Sequence, residues 1–407
     1  MRIAYIAPYQ GPTLLRRRPI VRNLSLGGRV KIGLISELLQ ESSHDVEILS
    51  QGEVVELGLK FYPAFSESKP FHPNIPIYYS SAFPVRFLNG LWSSLSLLRI
   101  FKARHRVSPY DVVVIYNLKP PQVACANYAI RRLGLPIILE YEDDQFLDVA
   151  GSGGSRFTSR FYLYAARRLL GSLSGSVSGS SLLLSQVAGD VPKLLLPGVV
   201  GEAILNATRQ TNGARRNWVV FSGTHSWAQG LEHLIKAWGI AKLPDWELHI
   251  AGHGYMTATL HKLAENNPSI VFHGMLDRKE NAYLLSKSRI AVVPYDVSQS
   301  QGFSFKTIEC LGAGLHVITT PLKALKGLDP EMEKGLTYIN DNSPDTIAEC
   351  MRKVIAERRY EQTSERATLR TYGPAAVSRS LDAFLKEAMP FGAKNKCQQM
   401  RSIAGIR

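Results

Sequence analysis

Apolar positions in this chain come in short unbroken runs. In the first half they are RIAYIAP, HDVEILS, DVVVIYN and PIILEYE; in the second they are WVVFSG, WELHIAG, SIVFHG, IAVVPY and HVITTP. Runs this short, apolar on successive positions and bounded by Gly, Pro or Asn, fit strands buried on both faces. Segments with helical spacing separate them, so each series reads as successive βαβ units, a parallel sheet covered by helices. The expected fold class is α/β, with two doubly wound domains and helices at the end of the chain. The Ser/Gly-rich segment from Gly171 to Gln186 lies between the two series, and KLLLPGVV closes the first near residue 200. The polar stretch from Ala207 to Asn217 reads as an interdomain connector. The expected division is 1–200, 201–375, and 376–407 for a terminal helix and basic tail.

One helical pattern stands apart. FLNGLWSSLSLLRIFKARHR, from Phe87 to Arg106, places Leu88, Leu91, Leu95 and Leu98 on one face and ends in basic residues. Its Asn, Gly and Ser interrupt any membrane-spanning run, so it reads as amphipathic, either packed on the first sheet or lying on an anionic membrane surface.

At 407 residues the chain can bury large cores without disulfides or metals. Cys125, Cys310, Cys350 and Cys397 are far apart and lack the spacing of a zinc site or a disulfide framework. The strand pattern begins at residue three, leaving no room for a signal peptide, so a reducing cytoplasmic location is expected, with peripheral placement on the inner membrane as an option. The net charge of +14 favours an anionic partner. Its basic clusters are dispersed and lack interleaved aromatics, which argues against nucleic acid.

In open parallel sheets, ligands bind beyond the carboxyl ends of the strands. That rule selects five places: the loop after RIAYIAP, the acidic cluster after PIILEY, the turns after VVFSG and LHIAG, and, after IAVVPY, SQGFSFKTIECLGAGLHVITTP from Ser300 to Pro321. Gly302 and Ser304 open a helix whose free N–H groups favour a diphosphate, and Lys306 adds a full charge there. Glu309, one turn on, can accept hydrogen bonds from the vicinal hydroxyls of a ribose. Against this stands an ordinary solvated Lys–Glu pair, which the small-residue context Gly312-Ala313-Gly314 makes hard to accommodate. The acidic cluster Glu140, Glu142, Asp143 and Asp144 has two readings: a carboxylate that binds sugar hydroxyls or acts as acceptor base, or a helix N-terminus stabilised by acidic residues. The triplet Gly252-His253-Gly254 is no dinucleotide fingerprint, which argues against a nicotinamide dehydrogenase.

The segment GFSFKTIECLGAGLHVITTP resembles the donor-site motif of family 4, the retaining glycosyltransferases with the GT-B fold of two Rossmann-like domains facing across a cleft. RIAYIAPYQGP with Gly27-Gly28, KLLLPGVV, VVFSGTHSWAQGLEHLIKAW and LHIAGHGYMTATLHKLAENNPSIVFHGML followed by AYLLSKSRIAVVPY resemble further family elements in the family's order. The resemblance implies a hexosyltransferase-like enzyme that moves a sugar from a nucleotide-diphosphate sugar to a glycan or lipid-linked acceptor in cell-surface polysaccharide synthesis, with no cofactor and no metal.

It also implies residue roles. Glu309 holds the ribose; Gly302, Phe303, Ser304 and Lys306 meet the diphosphate; Gly27 and Gly28 admit close approach of phosphate or acceptor. Thr224, His225 and Gln229 lie in the donor loop after WVVFSG. Three departures from the family pattern stand out. Gln301 replaces the first glutamate, which touches the transferred sugar. Thr224 and Gln229 replace an Arg and a Lys, leaving Lys306, Arg16 to Arg18, Arg22 or Arg29 to supply charge. Glu142 and Asp143 occupy the region where many members carry a His. Glu142, Asp143 and Gln301 are therefore the catalytic candidates. A catalytically impaired protein that binds nucleotide or a partner is the alternative.

Overall fold

The computed structural model describes residues 1–389 except 19–25, 53, 55–57, 70–71, 86–87, 144–155, 212–213, 297–304, 323–324 and 326. The chain divides into two compact units. The first comprises residues 1–24 and 28–196 and resumes at Ser378; the second comprises Pro197–Val377 together with residues 25–27.

The first unit holds an eight-stranded sheet: β1 (Arg2–Ile6), β2 (Asp45–Ser50), β3 (Phe65–Lys69), β4 (His72–Tyr79), β5 (Val112–Tyr116), β6 (Ile137–Glu140), β7 (Gly175–Ser178) and β8 (Lys193–Leu195). Their order is β3-β4-β2-β1-β5-β6-β7-β8. Every pairing is parallel except the β3–β4 hairpin at the edge. Helices α1 (Pro12–Arg17), α2 (Leu26–Glu41), α3 (Asn89–Val107), α4 (Pro120–Tyr128), α5 (Arg156–Leu170) and α6 (Ser181–Gln186) belong to this unit.

The second unit's sheet contains β9 (Trp218–Ser222), β10 (Glu247–Ala251), β11 (Ile270–Gly274), β12 (Ile290–Val293), β13 (His316–Thr319) and β14 (Leu336–Tyr338). The order is β11-β10-β9-β12-β13-β14, all parallel. This is the 3-2-1-4-5-6 arrangement of the Rossmann fold, with its topological switch between β9 and β12. Its helices are α7 (Glu202–Thr211), α8 (Leu231–Ala241), α9 (Thr257–Ala264), α10 (Arg278–Lys287), α11 (Phe305–Gly312), α12 (Pro330–Glu333), α13 (Pro344–Ala356) and α14 (Glu365–Tyr372). Successive side chains of a strand point to opposite faces, and here both faces are buried. Val219 and Phe221 enter one core with α8 and α13, while Val220 enters the other with α7 and α11. That double burial is why the strands read as unbroken apolar runs.

Two sequence expectations are corrected. Ala207 to Thr211, expected in a connector, lies in α7, whose Ile204 and Ala207 are core residues of the second unit. The Ser/Gly-rich segment contains buried β7: the Ser176 hydroxyl donates to the Leu139 carbonyl at 2.9 Å, and the Phe384 ring occupies the space a side chain at Gly175 would need. Small residues there serve close packing. The terminal helix α15 (Pro374–Ala388) returns to the first unit, where Ser378 meets Ser42 at 2.6 Å and Asp382 lies 3.4 Å from His44.

Candidate functional site

In the second unit, the turn after β9 and helix α11 come together at the switch point. The Lys306 ammonium donates to the Gln229 side-chain carbonyl and lies 4.4 Å from the centre of the Phe221 ring and 5.3 Å from that of Tyr295. A Cβ at Gly223 would meet that ammonium, so a side chain there would push the end of the lysine off this path across β9. Gly252 has φ +126°, and a Cβ there would strike the Gly223 carbonyl, which locks the turns after β9 and β10 against each other. These two glycines fix the floor on which Lys306 rests.

Burial lowers the Lys306 ammonium to a pKa of about 7, because the aromatic rings replace water without supplying a full negative charge. Glu309 lies one helical turn further along α11. Burial raises its carboxyl group to about 7, against the opposing attraction of Arg278 and then Lys306. Arg278 begins α10, whose first turn is held by a reciprocal cap between Asp277 and Glu280. Two cations therefore act on one carboxylate at the strand ends, leaving the group net positive when all three are ionised. Arg278 escaped the sequence reading, since RKE at a helix start reads as ordinary surface.

His225 is buried in the turn after β9. Its Nδ1 lies 3.0 Å from the Thr257 hydroxyl, and burial pushes its pKa down to about 4, so it is neutral at pH 7. Its backbone N–H donates to the His253 carbonyl at 3.1 Å, which ties the two turns together. Thr224 is partly buried in the same turn. Gln301, Gly302, Phe303 and Ser304 lie outside the described residues, as do Asp144 and Arg22.

A second concentration of charge lies at the carboxyl ends of β1, β5 and β6 in the first unit. Lys31 of α2 forms an ion pair with Glu142 and lies 3.5 Å from Glu140; all three side chains are almost wholly buried. The Tyr5 hydroxyl donates to Glu140. Among the described residues Glu142 Oε2 has no hydrogen-bond partner, and Glu140 Oε1 faces the Lys31 ammonium at 3.5 Å. Burial raises both carboxyl groups, Glu142 to about 7, while Lys31 pulls each back down. Asn117 follows β5 with φ +59°, a left-handed conformation that Asn tolerates. Its side-chain carbonyl accepts the Glu142 and Asp143 N–H groups at 2.7 and 3.0 Å, and its amide donates to the Asp143 carboxylate at 2.7 Å. Glu142 is thus turned inward, and among the described residues Asp143 is the exposed carboxylate at this strand end. Lys31 and Asn117 gave no sequence signal because each acts through distant partners.

Gly27 and Gly28 lie in the first turn of α2, and a Cβ at Gly27 would meet nothing within 4 Å. The Arg18 guanidinium is buried in its own unit and donates to the carbonyls of Gly52, Pro63 and Ser80. Arg16 and Arg17 are exposed, and Arg29 is partly exposed on α2.

Residues 216–357 match the family model Glycosyl transferases group 1. No curated protein matches the chain. Among solved structures, a sucrose-phosphate synthase from Thermosynechococcus elongatus superposes with a TM-score of 0.69 at 15% identity, over 95% of this chain and 98% of that one. HepE from Anabaena, in complex with UDP, gives 0.62 at 13% identity over 95% and 100%. A UDP-forming trehalose-phosphate synthase from Burkholderia xenovorans gives 0.60 at 12% identity over 95% and 99%. At these identities the likeness establishes the fold, which is GT-B.

Proposed function

We infer that this GT-B chain, whose second unit carries the signature of glycosyl transferases group 1, moves a sugar from a nucleotide-diphosphate sugar to a glycan or lipid-linked acceptor. The observation that carries this reading is the pairing of Lys306 with Glu309 on one short helix at the switch point of that unit. Among the described residues Lys306 rests on aromatic rings and a neutral amide, with Glu309 one turn away, and a diphosphate would bring it a direct charge-assisted partner. Glu309 suits the ribose hydroxyls. HepE structures holding UDP and UDP-glucose support a nucleotide sugar as the ligand class.

Lys306 also answers the departure at Gln229. Its ammonium reaches the Gln229 amide, so the position where the family resemblance expects a basic side chain has a cation beside it after all. That favours an active enzyme over an impaired one. Catalysis is then positional and electrostatic: the cations hold the departing diphosphate while the acceptor hydroxyl attacks. Asp143, exposed and oriented by Asn117, is the carboxylate we assign to the acceptor side, and Glu142 the buried group behind it. We assign the reaction to the retaining class, in cell-surface polysaccharide synthesis on the cytoplasmic side.

The test begins with melting curves against a panel of nucleotide sugars, where a bound donor raises the melting temperature by mass action. With the selected donor, proton NMR of the first-formed product should show the anomeric configuration of the donor. An inverted product would remove the retaining assignment, and a panel without any shift would remove the nucleotide-sugar reading.

A further inference from the structure

Helix α3 packs on the first unit through Ser96, Leu97 and Phe101, with Leu98 and Ile100 partly buried beside them. The rest of its leucine face is left outside. Leu88, Leu91 and Leu95 are 49%, 61% and 50% exposed, and Leu59 and Phe61 on a neighbouring loop are exposed as well. The Phe61 ring meets the Trp92 ring edge-on at 6.0 Å, which joins loop and helix into one apolar patch.

The exposed stripe changes character along its length. At 100° per residue, Leu88, Leu91, Leu95, Arg99, Lys102 and Arg106 share one line down the helix, about 27 Å from first to last. Its first half is leucine and its second half is cationic. The helix contains no acidic residue. Arg99 and Arg106 are exposed, Lys102 lies over the Tyr128 ring, and Lys60 is exposed between Leu59 and Phe61. Arg104, by contrast, faces inward and pairs with Glu47. Among the described residues no helix is long and apolar enough to cross a membrane.

We propose that this face of the first unit docks on an anionic lipid bilayer. The helix enters obliquely, N-terminal end first, with Leu88, Leu91, Leu95 and Phe61 at the acyl boundary and Arg99, Lys102 and Arg106 among the phosphates. The distance along the axis from Leu91 to Arg99, about 12 Å, is comparable to the depth between those layers. An all-apolar partner surface would leave the cations unanswered, and an anionic protein surface would leave the leucines in water; a bilayer of anionic lipid satisfies both halves of the stripe. The proposal deepens the lipid-linked acceptor reading, and only its biological purpose rests on that reading.

The test uses the full chain and sedimented vesicles, one set of phosphatidylcholine alone and one with phosphatidylglycerol. The expected result is salt-sensitive binding to the anionic set, reduced at least about tenfold by Leu91→Glu/Leu95→Glu and by Arg99→Glu/Arg106→Glu. Neither pair belongs to the donor site, so the melting shift with UDP-glucose should be the same in both variants as in the unmodified chain. That control reports folding and the donor reading separately from docking. No binding to anionic vesicles, or binding that Leu91→Glu/Leu95→Glu leaves unchanged, overturns the proposal. So does a dimer in sedimentation velocity that the same substitution makes monomeric, because the leucines then face a second copy.

Discussion

Affinity for a nucleotide sugar is expected to peak near pH 7 and to fall toward a limit of about tenfold per pH unit on either side. The reason is the pair at the switch point. Lys306 and Glu309 both titrate at about 7 in the empty protein, one lowered and one raised by the same burial. A bound donor needs the first protonated and the second ionised. Above pH 7 the lysine must take up a proton to meet the diphosphate, so binding weakens as pH rises. Below pH 7 the carboxyl group must release a proton to accept from the ribose, so binding weakens as pH falls. Calorimetric titration with UDP-glucose, whose diphosphate diester does not titrate in this range, checks both limbs. Proton uptake should be measured at pH 8 and proton release at pH 6, from runs in two buffers of different ionisation heat. Lys306→Met should abolish the alkaline limb and Glu309→Gln the acid limb, each lowering affinity at pH 7 by at least about tenfold, the scale of one charge-assisted hydrogen bond. A flat profile between pH 6 and 8.5 would remove both residues from the donor site.

The second large effect concerns the first unit. Lys31→Met would leave Glu140 and Glu142 buried with no cation between them, a loss of about 3–5 kcal/mol. For a unit of this size that corresponds to a drop of roughly 10 °C or more in its calorimetric transition. The sign of the pH dependence follows from the raised carboxyl groups. Between the ordinary carboxyl range and about pH 7 the folded chain holds protons that the unfolded chain has released, so stability falls as pH rises through that window. Without Lys31 both groups shift further upward and the fall extends above pH 7. The variant should therefore approach the unmodified chain at pH 5 and differ most at pH 8. Adding Glu142→Gln should restore part of the loss. An equal melting temperature at pH 8 would mean that the ion pair contributes nothing to the fold.

Most of the nine short apolar runs were legible because double burial imposes them: a strand covered on both faces has no solvent side to show, and only the edge strand β11 among them has no fully buried residue. The β3–β4 hairpin was not, because its sequence, with two prolines and alternating polar residues, belongs to a sheet edge where ladder bonds are needed on one side only. β7 was hidden for a different reason. Its serines and glycine are small because neighbours press against them, and composition alone reads small residues as loop.

At the site, Lys306 and Glu309 were readable from their spacing on one helix, as was the motif around them. Gln229 was named for the charge it lacks, yet its part here is to receive Lys306. Lys31 and Asn117 depend on partners more than twenty residues away, and no local pattern encodes such pairings. The amphipathic helix was visible as a pattern, but which of its faces meets the core follows only from the fold: Leu97 and Phe101 are buried, and the leucine row is not.

The return of α15 to the first unit has a consequence for how the chain is made. Phe384 and Ala388 close over Gly175, and Asp382 reaches His44, so the unit that leaves the ribosome first is finished by residues made after the second unit. Domains generally fold in the order of synthesis. Here the second unit, continuous from Pro197 to Val377, can complete its sheet while the first still waits with one flank uncovered. A chain truncated before residue 378 would therefore carry a first unit without the contacts of Phe384 and Ala388 at Gly175 and of Asp382 at His44.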